Sequence, residues 1–250
     1  MKSKHRLLPG ALLSLVLSAT LWAQTATDVS HYPDPATLPG KGPTNVWNGL
    51  AKVWAQRHER WAGHAAADHG ALVFLGDSIT QGFEPLSNYF PGMKVVNRGI
   101  GGDTTRGILY RLDADVLDLE PEGIVLLIGT NDLGIGADPD DVLDNIKAIL
   151  ARIKAHNSHT PVIVCTVMPR SDGHVSRAEK IRKLNAGITQ AIQGDPQCSL
   201  CDTWSLYADA NGDCPASEFP DRLHPNKVGY QKWVAALQPI LAQQSLTPHS

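Results

Sequence analysis

The sequence predicts an α/β fold, a three-layer α/β/α sandwich with a five-stranded parallel sheet, and three observations carry that prediction. Five short β-rich apolar runs occur, at Ala71 to Leu75, Lys94 to Val96, Gly123 to Ile128, Pro161 to Val167 and Cys198 to Cys201. Helical segments separate most of them, and strands alternating with helices build a parallel sheet covered on both faces. Polar and glycine-rich motifs follow directly after the first three runs. That is the carboxyl edge at which sheets of this kind hold their ligand crevice.

The elements follow in order. Lys2, Lys4, His5 and Arg6 precede an apolar run from Ala11 to about Leu21 and small residues at Ala23, Thr25 and Ala26, the layout of a secretory signal peptide spanning residues 1–23. The run is about half of the ~20 residues a membrane-spanning helix needs, and no cysteine follows it to carry a lipid. The expectation is therefore a secreted or periplasmic protein without a stable membrane anchor. Residues 24–45 are rich in Pro, Gly and Thr and read as an extended leader or a tether. A single domain, residues 46–250, then opens with an amphipathic helix from Val46 to Ala67, whose Trp47, Leu50, Val53, Trp54 and Trp61 form a stripe expected in the core. Later helices are expected at Asp138 to His156, Val175 to Ile192 and Val228 to Leu241.

Composition narrows the function. The chain has 250 residues, 42 % hydrophobic and 19 % charged, with a net charge of −3 and no dense basic run after the first few residues. That balance offers nucleic acid and anionic membranes no broad attraction and favours a small or neutral substrate. All four cysteines, Cys165, Cys198, Cys201 and Cys214, lie in the second half. Export permits a disulfide, for which Cys201 with Cys214 is a reasonable pair, while no suitably spaced fourth ligand supports structural zinc.

Four segments carry candidate chemistry. Gly76-Asp77-Ser78-Ile79-Thr80 sets a serine at the end of the first strand, where it serves either as a nucleophile facing the crevice or as a turn former or helix cap. The second strand ends in Asn97-Arg98-Gly99-Ile100-Gly101-Gly102-Asp103-Thr104-Thr105, before an apparent helix. This loop has neither the P-loop nor the dinucleotide glycine spacing, so it reads as a tight turn or as the source of a backbone donor to an oxyanion. Gly129-Thr130-Asn131-Asp132 ends the third strand, with Asn131 placed for an Asx turn or as a neutral donor. Near the C-terminus, Asp221-Arg222-Leu223-His224-Pro225-Asn226 leads into the last helix, with Pro225 suited to its first position. There Asp221 lies close enough to orient the His224 ring. Asp77, Asp103 and Asp132 are read as hydrogen-bond partners within their loops rather than as ligands of a catalytic metal.

Together the four blocks, in this order, resemble the SGNH (GDSL-like) hydrolase family. The loop from Asn97 to Thr105, followed by Arg106-Gly107-Ile108-Leu109-Tyr110-Arg111-Leu112, is most similar to the branch of the platelet-activating-factor acetylhydrolase catalytic subunits. The resemblance, from about Val46 to Leu241, implies a flavodoxin-like SGNH fold and a serine esterase for short acyl groups. It further implies Ser78, His224 and Asp221 as the catalytic residues, with Ser78, Gly102 and Asn131 forming an oxyanion hole and no cofactor or metal. The implied partner is a small-molecule or carbohydrate acyl ester. A catalytically silent carbohydrate-binding protein using the same crevice is the rival reading.

Overall fold

The computed structural model describes residues 28–45, 47, 49–171 and 175–248. The signal-peptide reading of residues 1–23 lies outside these described residues. Five parallel strands form one sheet: β1 (Leu72–Gly76), β2 (Val95–Gly99), β3 (Gly123–Leu127), β4 (Val162–Cys165) and β5 (Cys198–Cys201), in the order β2-β1-β3-β4-β5. This is the flavodoxin-like order, whose direction of winding reverses between β1 and β3. Leu72 pairs with Val95 and Gly123, and Gly76 with Gly99 and Leu127. The three strands therefore end level, and the loops that follow them emerge side by side.

Alternation along the strands sorts the core into two layers. Val73, Leu75, Ile124, Leu126, Val162 and Val164 face one side. There they meet apolar residues of α4 (Thr105–Asp115), α6 (Pro139–His156) and α7 (Val175–Ile192). Leu72, Phe74, Val125, Leu127 and Ile163 face the other side, against Tyr230, Trp233, Leu237 and Leu241 of α9 (Lys227–Gln243). Asp138 caps α6 by accepting from Asp140 N–H, and Pro139 occupies the first turn, where its missing N–H costs nothing.

The first helical region differs from its expected form. It is split into α1 (Leu50–Trp61) and α2 (Ala65–Asp68), because Ala62 takes an extended ψ of 132° and Gly63 a φ of +76°. Leu50 and Trp54 are buried against Ile100, but Trp47 precedes the helix and is 55 % exposed, outside the core stripe. Short helices of four or five residues, α3 (Ser78–Gln81), α5 (Thr130–Gly134) and α8 (Thr203–Tyr207), complete the described α-helices. The four cysteines are free thiols, contrary to the Cys201–Cys214 pairing. Cys201 lies beside Cys165 across β4 and β5, whereas the Cys214 thiol faces the carbonyl of Arg222 and the hydroxyl of Ser171.

The described part of the leader is a docked strap rather than a tether. Arg106 donates to the carbonyls of Leu38, Pro39 and Gly42, and Asn145 bonds both the N–H and the carbonyl of Lys41. Trp54 Nε1 and the Tyr110 hydroxyl donate to the carbonyls of Val29 and Asp28.

Arg111 is fully buried on α4. Its guanidinium donates to Asp103 Oδ2 (2.8 Å), Asp115 Oδ2 (3.1 Å) and the carbonyl of Gly76 (3.1 Å). Replacing it by methionine leaves Asp103 buried without its counter-ion and Asp115 with His58 alone, a loss on the order of 3–5 kcal/mol. Arg111→Met is thus expected to lower the urea midpoint at unchanged m-value, and an unaltered midpoint would show the pair to be energetically neutral.

Candidate active site

The turn after β1 is shaped by two residues. A Cβ on Gly76 would lie 2.3 Å from the carbonyl oxygen of Leu127 and 2.2 Å from Thr80 Oγ1, so only glycine lets the turn fold against β3. Asp77 then caps α3 by accepting from Ile79 N–H at 2.9 Å, which leaves Ser78 as the first helical residue. Ser78 Oγ lies 2.9 Å from His224 Nε2. His224 Nδ1 lies 2.6 Å from Asp221 Oδ2, while Asp221 Oδ1 accepts from the N–H groups of His224 (2.7 Å) and Leu223 (3.0 Å).

Burial pushes the Asp221 carboxyl upward, but the bonds from the His224 backbone and ring and the Leu223 backbone outweigh it, and its pKa falls to about 2. An ionised Asp221 accepts from His224 Nδ1–H, which leaves Nε2 to accept from the Ser78 hydroxyl. The loop is held from both sides. Arg222 adopts a left-handed φ of 67°, and its carbonyl accepts from Ser171 N–H at 3.0 Å. Asn226 caps α9, accepting from Val228 and Gly229 N–H, so Pro225 precedes the cap instead of filling the first helical position.

The glycine loop packs against this group. A Cβ on Gly101 would meet Ser78 Cβ at 3.7 Å, and Gly101 N–H donates to Gln81 Oε1 at 2.6 Å. Gly102 has a φ of +85°, a conformation that disfavours a side chain, and its carbonyl accepts from Asn45 Nδ2 at 2.6 Å. Asn131 Nδ2 donates to the carbonyl of Asp103 at 2.8 Å, which brings the asparagine onto the same loop. Ser78, Gly102, Asn131, Asp221 and His224 thus converge at one edge of the sheet, from the ends of β1, β2 and β3 and the approach to α9.

Residues 74–232 match the model of the GDSL-like Lipase/Acylhydrolase family. The chain belongs to that family. It is 29 % identical over 192 residues to platelet-activating factor acetylhydrolase IB subunit alpha1 from Bos taurus, covering 75 % of this chain and 82 % of that one. Among solved structures it is similar to a GDSL-like lipase from Bacteroides thetaiotaomicron, with 25 % identity and a TM-score of 0.66 over 74 % of this chain and 97 % of the other. An acetyl xylan esterase from Geobacillus stearothermophilus shares the fold at 20 % identity and a TM-score of 0.56, over 73 % of this chain and 99 % of that one. As a GDSL-like acylhydrolase the chain is a hydrolase, and membership implies small-molecule ester substrates.

Buried carboxylates underlie the site of this acylhydrolase, each engaged by a protein donor. Asp103 bonds Arg111, and Asp132 accepts from the N–H and hydroxyl of Thr105. Burial raises both, Asp132 to about 6, against the pull of those partners. Thr105 also accepts from Asn145, so a chain of bonds runs from the strap through Asn145 and Thr105 to the neighbour of Asn131. The sequence reading missed Arg111, Asn145 and Asn45 as supports. Arg111 offered one signal, a charged residue between the apolar Ile108 and Leu112 on a helix face.

Asp77 is raised as well, and further than Asp132. Burial drives it to about 7, with help from the Asp103 and Asp132 charges and against the Ile79 bond, and its Oδ2 has no hydrogen-bond partner. An acid raised in this way stabilises the fold fully below its ordinary value near 4, and that contribution is lost as pH rises to about 7. Asp77→Asn removes the titration. Its melting temperature minus that of the wild type is expected to climb from about pH 4 to about pH 8, and a pH-independent difference would refute the buried-proton assignment.

Proposed function

We propose that this acylhydrolase is a serine esterase hydrolysing short-chain, chiefly acetyl, carboxylic esters through an acyl-enzyme intermediate. The observation that carries the reading is the continuous bond chain from Asp221 through His224 to Ser78 Oγ, abutting the Gly102 loop. Ser78 Oγ attacks the ester carbonyl as His224 Nε2 takes its proton, forming the Oγ–C bond. His224 then protonates the departing alkoxide as the ester C–O bond breaks. Water repeats the sequence in reverse roles, releasing the acid and restoring Ser78. Asp221 holds the productive tautomer and stabilises the imidazolium.

The tetrahedral oxyanion calls for donors that are in place before charge develops. Ser78 N–H stands in the first turn of α3, where helical N–H groups lack intrahelical acceptors, and Gly102 N–H lies on the adjoining loop. Asn131 has two amide hydrogens; one is spent on Asp103 and the other is available. A relative bearing the name acetylhydrolase and a fold neighbour that is an acetyl xylan esterase support acetyl esters, of lipids or of carbohydrate. The basic-then-apolar N-terminus of the sequence supports action after export.

The test is the initial rate of p-nitrophenyl acetate hydrolysis. Ser78→Ala is expected to abolish turnover above background, and equal rates in the two proteins would exclude the serine mechanism. Asn131→Ala is expected to lose roughly 10²–10³ in kcat. Unchanged kcat with an unchanged melting temperature would remove Asn131 from the oxyanion hole.

A further inference from the structure

Trp47 lies outside residues 74–232, the part of the chain matched by the family, yet the strap brings it to the site. Three features make its position a built one. Asn45 binds in two directions, accepting from Trp47 N–H through Oδ1 at 3.1 Å and donating through Nδ2 to the Gly102 carbonyl at 2.6 Å. The indole is seated on two glycines: a Cβ on Gly49 would lie 2.2 Å from Trp47 Cζ2, and one on Gly102 would lie 3.3 Å from Cε3. The rest of the ring faces solvent, since Trp47 is 55 % exposed. A large apolar ring held open to water beside the loop that flanks Ser78 offers a flat face that a ligand at the site can cover.

The surroundings point the same way. Among the described residues the exposed large apolar side chains are Trp47, Ile135 and Val228. Trp47 lies against Gly102, and the other two sit on segments carrying a site residue, Ile135 four residues after Asn131 and Val228 four residues after His224. An acetyl group is too small to reach beyond the carbonyl it carries. The Trp47 ring, lying against Gly102 while Gly101 lies against Ser78, is placed for the alcohol portion of the ester. A flat indole in open water suits the C–H face of a solvated sugar ring, whose hydroxyl rim stays hydrated while its apolar face is covered.

We propose that Trp47 is a specificity-determining residue, a stacking platform for the pyranose ring of an O-acetylated sugar whose ester carbonyl is held at Ser78. This rests on the esterase reading above and adds to it the substrate class.

The experiment measures kcat and KM in a pH-stat for three esters: a monoacetylated methyl xylopyranoside, ethyl acetate and ethyl octanoate. Wild type is compared with Trp47→Ala and Trp47→Phe. The ratio of kcat/KM for the sugar ester to that for ethyl acetate is expected to fall about tenfold in Trp47→Ala, chiefly through KM, with Trp47→Phe retaining most of it. A kcat loss shared by the sugar ester and ethyl acetate would assign Trp47 to bracing the Gly102 loop. A loss greatest on ethyl octanoate would assign it to an acyl chain. Either result overturns the proposal, as does wild-type enzyme that turns over ethyl acetate but not the sugar ester. Wild type inactive on all three esters would instead overturn the esterase reading on which the proposal rests.

Discussion

The site depends first on one buried guanidinium. Arg111 reaches the Gly76 carbonyl, two residues before Ser78, and the Asp103 carboxylate, one residue after Gly102. Its third bond goes to Asp115, which also faces His58 Nε2 at 3.0 Å and so ties in α1. Taking such a charge out of water costs several kcal/mol, which close carboxylates offset only in good geometry. What the arrangement adds is position. The end of β1 and the loop after β2 share one buried side chain, which ties the turn bearing the serine to the glycine loop.

A second network fixes the outer wall from the N-terminal side. The strap has little regular structure, and several of its backbone polar groups are satisfied by side chains of the domain, chiefly Arg106 and Asn145. Asn145 also donates to Thr105, which holds Asp132, while Asn45 at the far end of the strap holds Gly102. The loops after β2 and β3 are therefore gripped from beneath by the sheet and from the side by a segment that precedes the family-matched region. This is why a stretch that reads as leader in composition becomes a wall of the site in structure.

Much of the fold was legible because periodicity and length agreed. The β5 run and the α7 segment coincide with their elements, and α6 starts one residue later than expected because Asp138 is its cap. Helices of four or five residues such as α3 and α5 are too short to show a period, and they carry Ser78 and Asn131. Trp47 fitted the helical stripe in spacing alone; the chain turns into the helix only at Leu50, so the pattern assigned to the core a ring that faces water. The cysteine pairing failed for a related reason. Cys201 is committed by strand register to Cys165, 36 residues away in sequence, and register is set by the sheet rather than by the loop between neighbouring cysteines.

The site residues were legible in order but not their electrostatic setting. Under the proposed mechanism a negative oxygen develops next to Ser78, and an ionised Asp77 one residue away would oppose it. Burial holds the Asp77 carboxyl up to about 7, whereas Asp103 has the Arg111 guanidinium beside it and Asp132 the donors of Thr105. The three acids are thus not equivalent. Two have donors that favour their charged forms. The third, adjacent to the nucleophile, has one backbone N–H and an oxygen without a hydrogen-bond partner, and its burial outweighs that bond and the more distant Arg170 charge. A capping residue at this turn needs only an acceptor oxygen, which the protonated carboxyl still supplies to Ile79 N–H. Below about pH 7 the cap that exposes Ser78 is therefore kept with a carboxyl that is mostly neutral, so it adds little negative charge beside the oxyanion.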